Sequence, residues 1–100
     1  MRIEVLYVPD CPNYTPAVER VKNILANESL QVEVSGILVN SETEAQALDF
    51  PGSPTIRING SDVEPEQRTS SLCCRLYANQ SGVPSEAILR AAVLQAQRME

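Results

Sequence analysis

The sequence predicts a single α/β domain over residues 1–100 with the element order β-α-β-α-β-β-α. Short apolar runs suited to strands alternate with segments whose apolar residues recur every three or four positions, as on one face of a helix. Asn59-Gly60, a turn signal typical of hairpins, follows the third apolar run. These patterns favour two parallel strands with crossover helices, then an antiparallel hairpin and a closing helix. A chain of 100 residues can form such a domain with its own core.

The first strand and the first helix are predicted to meet at a cysteine. Residues 3–8 carry apolar side chains on both faces, which indicates a buried strand that can pair in parallel. The following helix has Cys11 at its start and Pro12 at its first position, where the N–H that proline lacks has no helical partner anyway. Its inward face is predicted to consist of Ala17, Val18, Val21, Ile24 and Leu25.

A second strand is predicted over residues 30–39, and a short second helix follows it. Ser41 and Glu44 have the spacing of a capping box, in which each side chain satisfies a free N–H at the start of the helix. Pro51-Gly52 ends this helix because neither residue continues a helix well.

The second half of the chain is predicted to form the hairpin and the closing helix. Residues 55–59 suit a third strand, residues 61–71 are polar and turn-rich and indicate a loop, and residues 72–78 suit a fourth strand. Pro84 opens the last helix, whose predicted inward residues are Ile88, Ala91, Ala92 and Val93.

Charge and composition exclude several classes of function. The net charge of −5 argues against a nucleic-acid or anionic-membrane surface, which needs a basic patch. No secretory signal is visible, so a cytoplasmic location is the default expectation. The chain has no histidine, which removes Cys-His nucleophile pairs and most zinc sites. The acidic side chains are assigned to helix capping and solubility only: Glu42, Glu44, Asp62, Glu64 and Glu66.

The three cysteines, Cys11, Cys73 and Cys74, suit thiol chemistry, soft-metal binding or burial better than a disulfide framework. At a helix N-terminus, unpaired N–H groups and the helix dipole favour the thiolate, which is the reactive form, although the carboxylate of Asp10 opposes it. The alternative is a half-buried residue at the helix start without chemistry. If Cys73 and Cys74 lie in a strand, they point to opposite faces, and one of them is expected to fill the core.

A proline directly before the third strand is the second unusual feature. In the sequence Gly52-Ser53-Pro54-Thr55, a proline suits a strand start, an edge position or a cis peptide bond. The alternative is an ordinary turn proline. A cis bond at Ser53-Pro54 is expected to hold the backbone of residue 53 beside Cys11 and to offer its N–H and C=O to an extended partner.

Taken together, a strand, a Cys-Pro turn at a helix start and a Ser-Pro-Thr turn before a hairpin resemble the thioredoxin/glutaredoxin superfamily. More narrowly, "CPNY", "FPGSPTIRINGSD" and "CRLY…P…ILRAA" are similar to small bacterial thioredoxin-like proteins that are labelled thioredoxin-family or alkylmercury-lyase-related. The resemblance implies a four-stranded mixed sheet in the order 2-1-3-4 with helices on both faces. It also implies that Cys11 is the first active-site cysteine, Pro54 the cis-proline and Cys74 a recurrent cysteine before Arg75.

The sequence departs from the thioredoxin pattern Cys-x-x-Cys, because Tyr14 stands where the second cysteine would be. A dithiol cycle within the motif is therefore impossible, and monothiol exchange remains. The partner would be a thiol or disulfide substrate, either a protein or a small molecule, and the Cys11 thiolate would form the mixed disulfide by displacing a thiolate from a disulfide. Another cysteine or an external thiol such as glutathione, as co-substrate, would resolve that mixed disulfide. No resident cofactor is predicted.

Two other functions stay open. One is binding of a thiophilic ion, Cu(I) or Hg(II), by Cys11 with a second thiolate, mercury being suggested by the resemblance alone. The other is a non-catalytic module that binds partners in the groove beside Pro54. With Cys74 in the fourth strand, two strands away from Cys11, the expected separation is roughly 14 Å. A disulfide tolerates about 7 Å between Cα atoms, so no Cys11–Cys74 bond is predicted. The alternative is a fourth strand at residues 62–64, in which case residues 65–74 could pass over the site and bring Cys74 within reach, and both the disulfide and the two-thiolate metal site would be revived.

Overall fold

The structure is a computed structural model that describes residues 1–65, 75, 77, 79 and 81–99. In these residues the elements follow the predicted order β-α-β-α-β-β-α. They are β1 (Ile3–Tyr7), α1 (Tyr14–Asn27), β2 (Val34–Leu38), α2 (Glu42–Ala47), β3 (Thr55–Ile58), β4 (Ser61–Asp62) and α3 (Glu86–Arg98).

The four strands form one mixed sheet in the order β2-β1-β3-β4, as predicted. β1 is central, because it pairs in parallel with β2 and antiparallel with β3. β4 pairs antiparallel with β3 at the edge of the sheet. The apolar side chains on both faces of β1 follow from this central position, since both faces of the strand are covered.

The sheet packs against helices on both faces. Successive side chains of a strand point to opposite faces, so Ile3 and Val5 lie on one face of β1 and Leu6 on the other. The larger cluster joins β1 and β3 to α1 and α3, through Ile3, Val5, Ala17, Val21, Ile24, Leu25, Ile56, Ile58, Val83, Leu89, Val93 and Ala96. The smaller cluster, on the face of Leu6, comprises Leu6, Val39, Ala45 and Phe50 and includes α2.

Serine side chains cap α2 and α3 at their N-termini. The Ser41 hydroxyl accepts a hydrogen bond from the Glu44 N–H at 3.1 Å, which confirms the Ser41 half of the predicted capping box, while the Glu44 carboxylate accepts from the Ser41 hydroxyl at 3.3 Å. The Ser85 hydroxyl accepts one from the Ile88 N–H at 3.2 Å, so α3 begins at Glu86 and not at Pro84. The buried face of α3 consists of Leu89, Val93 and Ala96, whereas the predicted inward residue Ala91 is exposed.

The fourth strand is not where the sequence predicts it. Asn59 and Gly60 both have positive φ, 53° and 83°, as a two-residue type I′ hairpin turn requires. The hairpin therefore continues at once into β4 at residues 61–62, inside the predicted loop. Arg75 and Tyr77 belong to no strand, and the rest of residues 72–78, including Cys73 and Cys74, lies outside the described residues. The predicted 14 Å separation of Cys11 and Cys74 loses its basis, because it assumed a fourth strand there.

The second strand is shorter than predicted. β2 begins at Val34, and residues 30–33 lead into it without belonging to the sheet.

Among the described residues, no helix combines the length and apolar character needed to cross a membrane.

Candidate functional site

Cys11 lies in the turn between β1 and α1. Its thiol is free and the residue is half-buried. The helix begins at Tyr14, three residues later, and the Tyr14 N–H donates a 3.3 Å hydrogen bond to the Cys11 carbonyl. The prediction that Pro12 is the first helical residue is therefore wrong. Asn13 is the residue that precedes the helix, so Cys11 lies two residues before the helix cap.

Asp10 is held in the left-handed region, with φ of 60°. Aspartate adopts this conformation more readily than most residues. The exposed Asp10 turns the chain from β1 towards Cys11 and adds a carboxylate directly before the thiol.

Tyr14, at the fourth position of the motif, has a packing role. Its ring stacks on Tyr7 of β1 with 3.9 Å between centroids and 28° between planes. The Tyr14 hydroxyl lies over Gly36 of β2, where a Cβ atom would overlap it. Tyr14 therefore fastens the first turn of α1 to the sheet, at the position where a second thiol would stand in a Cys-x-x-Cys motif.

The Ser53-Pro54 peptide bond is cis, as predicted. The Ser53 hydroxyl accepts a 3.0 Å hydrogen bond from the N–H of Val8, the residue that follows β1 and precedes Cys11 by three positions. The proline turn and the Cys11 turn therefore meet at the same end of the sheet. Ser53, Pro54 and Thr55 are all fully buried.

The carbonyl groups around Pro54 are already bonded within the chain. The Gly52 carbonyl accepts from the Thr55 hydroxyl at 2.6 Å, and the Ser53 carbonyl accepts from the Arg75 N–H at 2.9 Å. The Pro54 carbonyl accepts from the Tyr77 hydroxyl at 2.5 Å. The expectation that the Ser53 carbonyl is open to an extended partner is therefore wrong, because Arg75 occupies it.

Arg75 is the centre of a buried polar cluster. Its guanidinium, 0% exposed, donates to the Asp62 carboxylate at 2.8 Å, to the Thr55 hydroxyl at 3.2 Å and to the Glu64 carbonyl at 2.5 Å. It also lies over the Tyr77 ring, 4.2 Å from the centroid. Asp62, assigned to solubility from the sequence, instead neutralises this buried cation.

Tyr77 connects the cluster to the proline turn. The residue is 2% exposed, and burial raises the pKa of its hydroxyl above the ordinary value. A neutral Tyr77 can donate its proton to the Pro54 carbonyl, which a tyrosinate cannot do. Arg75 and Tyr77 were missed as site residues, although their spacing of two within "CRLY" places them on one side of an extended segment.

A turn before α3 touches the Cys11 turn from another side. The Tyr77 N–H donates to the Ser81 carbonyl at 2.9 Å, and the amide of Asn79 donates to the Val83 carbonyl at 3.1 Å. Gly82, in this turn, packs so closely on the side chain of Asn13 that a Cβ atom would overlap it. Bonds and contacts therefore run from Pro54 through Tyr77 and this turn to Asn13, two residues after Cys11.

The described residues offer one thiol at this turn and no metal-ligand cluster. Cys11 is the one cysteine that the structure describes, since Cys73 and Cys74 fall outside the described residues. In the described part of the chain, no group of three or more Cys, Asp or Glu side chains is placed to hold a metal ion. The arrangement around Cys11 can support nucleophilic thiol chemistry without an internal partner in its own motif.

No protein-family model matches the sequence, and neither a curated protein nor a solved structure matches it significantly.

Proposed function

We propose that the protein is a thioredoxin-like monothiol that exchanges disulfides through Cys11. The observation that carries the proposal is the junction of two turns at one end of the sheet. A free, half-buried thiol lies in the first turn, and the hydrogen bond from Val8 to Ser53 ties that turn to a cis-proline turn. The sheet order β2-β1-β3-β4 with helices on both faces supports the resemblance to the thioredoxin fold.

The reaction needs one thiolate. The Cys11 sulfur attacks one sulfur of a disulfide, a mixed disulfide forms, and the other half of the substrate leaves as a thiolate. An external thiolate such as glutathione then attacks the mixed disulfide and releases Cys11 as a thiolate, so the electrons come from the external thiol. A second thiol in the motif is replaced by Tyr14, and this two-step exchange does not require it.

The proposed co-substrate and partner class rest on the composition of the chain. Glutathione is abundant in a reducing cytoplasm, where free cysteines persist, and it is the proposed co-substrate. The net charge of −5 makes a nucleic acid a poor partner. Cys74 remains a candidate for a second thiol, to be tested by substitution.

The two other functions gain no support from the described residues. A two-thiolate site for Cu(I) or Hg(II) needs a second cysteine near Cys11, and Cys11 is the one cysteine described. A partner groove at Pro54 needs accessible atoms there, whereas Pro54 is fully buried.

Mapping of glutathione adducts tests the proposal. The native protein is incubated briefly with glutathione disulfide, quenched with acid and digested, and the modified cysteines are located by mass spectrometry. We expect the adduct on Cys11 first, and Cys73→Ser serves as the control that leaves it unchanged. Modification of Cys73 or Cys74 ahead of Cys11 would overturn the proposal.

A further inference from the structure

The backbone beside Pro54 is closed to an added strand. An extended peptide binds at a sheet edge by pairing with free N–H and C=O groups. Three consecutive carbonyls, those of Gly52, Ser53 and Pro54, are bonded internally by the Thr55 hydroxyl, the Arg75 N–H and the Tyr77 hydroxyl. A peptide could pair there only after displacing Arg75 and Tyr77.

Arg75 is firmly anchored in this position. Its guanidinium is 0% exposed and is paired with Asp62, whose side chain is 14% exposed. It also bonds to Thr55 and stacks on Tyr77. A buried cation that loses its carboxylate is strongly destabilised, so moving Arg75 away would leave an uncompensated charge on Asp62 or on Arg75.

The Cys11 turn, in contrast, is partly exposed to solvent. Cys11 is half-buried and its neighbours Asp10 and Pro12 are exposed. A small disulfide can therefore reach the sulfur without backbone pairing beside Pro54.

From these contacts we infer that the substrate of Cys11 is a low-molecular-weight disulfide, and that Arg75 and Tyr77 keep an extended polypeptide from pairing with the backbone beside Pro54. The inference rests on the proposed exchange function and names its substrate class. In the exchange, the Cys11 thiolate bonds to one sulfur of a small disulfide and the other half leaves as a thiolate. In a peptide substrate, the residues that flank the reacting cysteine would add nothing to binding.

Matched mixed disulfides test the inference. One probe is N-acetylcysteine methylamide joined to 2-nitro-5-thiobenzoate, and the other is a pool of decapeptides with a central cysteine in the same mixed disulfide and randomised flanks. Release of the coloured thiolate gives the second-order rate constant for each probe. Cys11→Ser supplies the background, and Glu86→Gln, on the exposed side of α3, is the control for an acid-to-amide change.

The expected result is a rate for the peptide pool within about twofold of the rate for the small probe, because flanks that do not bind add nothing to transition-state binding. Asp62→Asn, which weakens the anchor of Arg75, should raise the peptide rate relative to the small probe, whereas Glu86→Gln should leave the ratio unchanged. A peptide advantage of about tenfold or more in the native protein would overturn the inference and leave the exchange function intact. An unchanged ratio of the peptide rate to the small-probe rate in folded Asp62→Asn would likewise overturn the inference and leave the exchange function intact. Rates equal to those of Cys11→Ser for both probes would overturn the exchange function and the inference with it.

Discussion

The backbone N–H of Arg75 donates a 2.9 Å hydrogen bond to the carbonyl of Ser53, while the side chain of Arg75 is paired with Asp62 on β4. One residue thus joins the cis-proline turn to the edge of the sheet. The hydroxyl of Tyr77 adds a second bond to the same turn, on the Pro54 carbonyl. The position of the proline turn beside the Cys11 turn therefore depends on polar contacts that are buried.

The ion pair of Arg75 with Asp62 should contribute far more to stability than an exposed pair. Asp62→Asn keeps the size of the side chain and removes its charge, and we expect the free energy of unfolding to fall by about 3 kcal/mol. Glu86→Gln, which breaks the exposed pair with Arg90 on α3, should cost about 0.5 kcal/mol or less. Urea denaturation of the two variants measures both values. Equal losses would contradict the buried role of Asp62.

The contribution of Tyr77 to the free energy of unfolding should fall at alkaline pH. Burial raises the pKa of Tyr77, whereas an unfolded tyrosine ionises near pH 10. Its contribution is fully present below about pH 10 and is lost as the pH rises towards the folded pKa, because the unfolded state releases its proton first. The free energy of unfolding of the native protein should exceed that of Tyr77→Phe by about 1 kcal/mol at neutral pH. That difference should shrink by about 1.4 kcal/mol per pH unit above about pH 10.

Denaturation series from pH 7 to pH 11 on both proteins provide the comparison, and effects of other titrating groups cancel between them. Curves that stay parallel to pH 11 would show that Tyr77 is not buried as a neutral donor.

Gly82 should control the geometry of the Cys11 turn. In Gly82→Ala the new methyl group overlaps the side chain of Asn13, which must move. We expect the alkylation rate of Cys11 to change by at least about threefold, with an unfolding cost of about 1 kcal/mol. Gly60→Ala is the matched control, because it strains the positive φ of the hairpin turn at a similar cost. The alkylation rate of Cys11 should not change in Gly60→Ala, and an equal change in both variants would contradict the contact with Asn13.

Asp10 should slow the reaction of Cys11 with anionic reagents. Asp10→Asn removes one negative charge, and asparagine also tolerates the left-handed conformation that this position requires. We expect the rate with iodoacetate to rise about two- to fivefold at low salt, and the rise to shrink at high salt as the charge is screened. The neutral reagent iodoacetamide shows how much of this rise comes from the lost repulsion between Asp10 and the anionic reagent. No change with either reagent would mean that the Asp10 carboxylate is directed away from the thiol.

Local signals in the sequence predict much of the fold. The cap at Ser41 and the hairpin turn at Asn59-Gly60 are confirmed, because each depends on a few neighbouring residues, and the cis bond at Pro54, which the resemblance implied, is confirmed as well. The central position of β1 also follows from apolar side chains on both its faces. These features needed no knowledge of distant contacts.

The contacts of Arg75 could not be predicted in the same way. Asp62 lies in a polar stretch that resembles a solvent-exposed loop, and only its long-range pairing with Arg75 buries it. Residues 72–78 have the apolar content of a strand, yet Tyr77 is buried without belonging to one. Pro12 suits a first helical position, but α1 begins at Tyr14, after the turn that the chain enters at the left-handed Asp10.

Turnover of a small disulfide by glutathione tests the central claim most directly. The initial rate of reduction of 2-hydroxyethyl disulfide is measured with glutathione reductase as the coupling enzyme, for the native protein, Cys11→Ser, Cys73→Ser and Cys74→Ser. Our account predicts catalysis above the uncatalysed rate by the native protein, loss of that catalysis in Cys11→Ser, and retention in Cys73→Ser. A loss in Cys74→Ser as well would identify Cys74 as a second thiol of the reaction. A native protein no faster than Cys11→Ser would contradict exchange through Cys11.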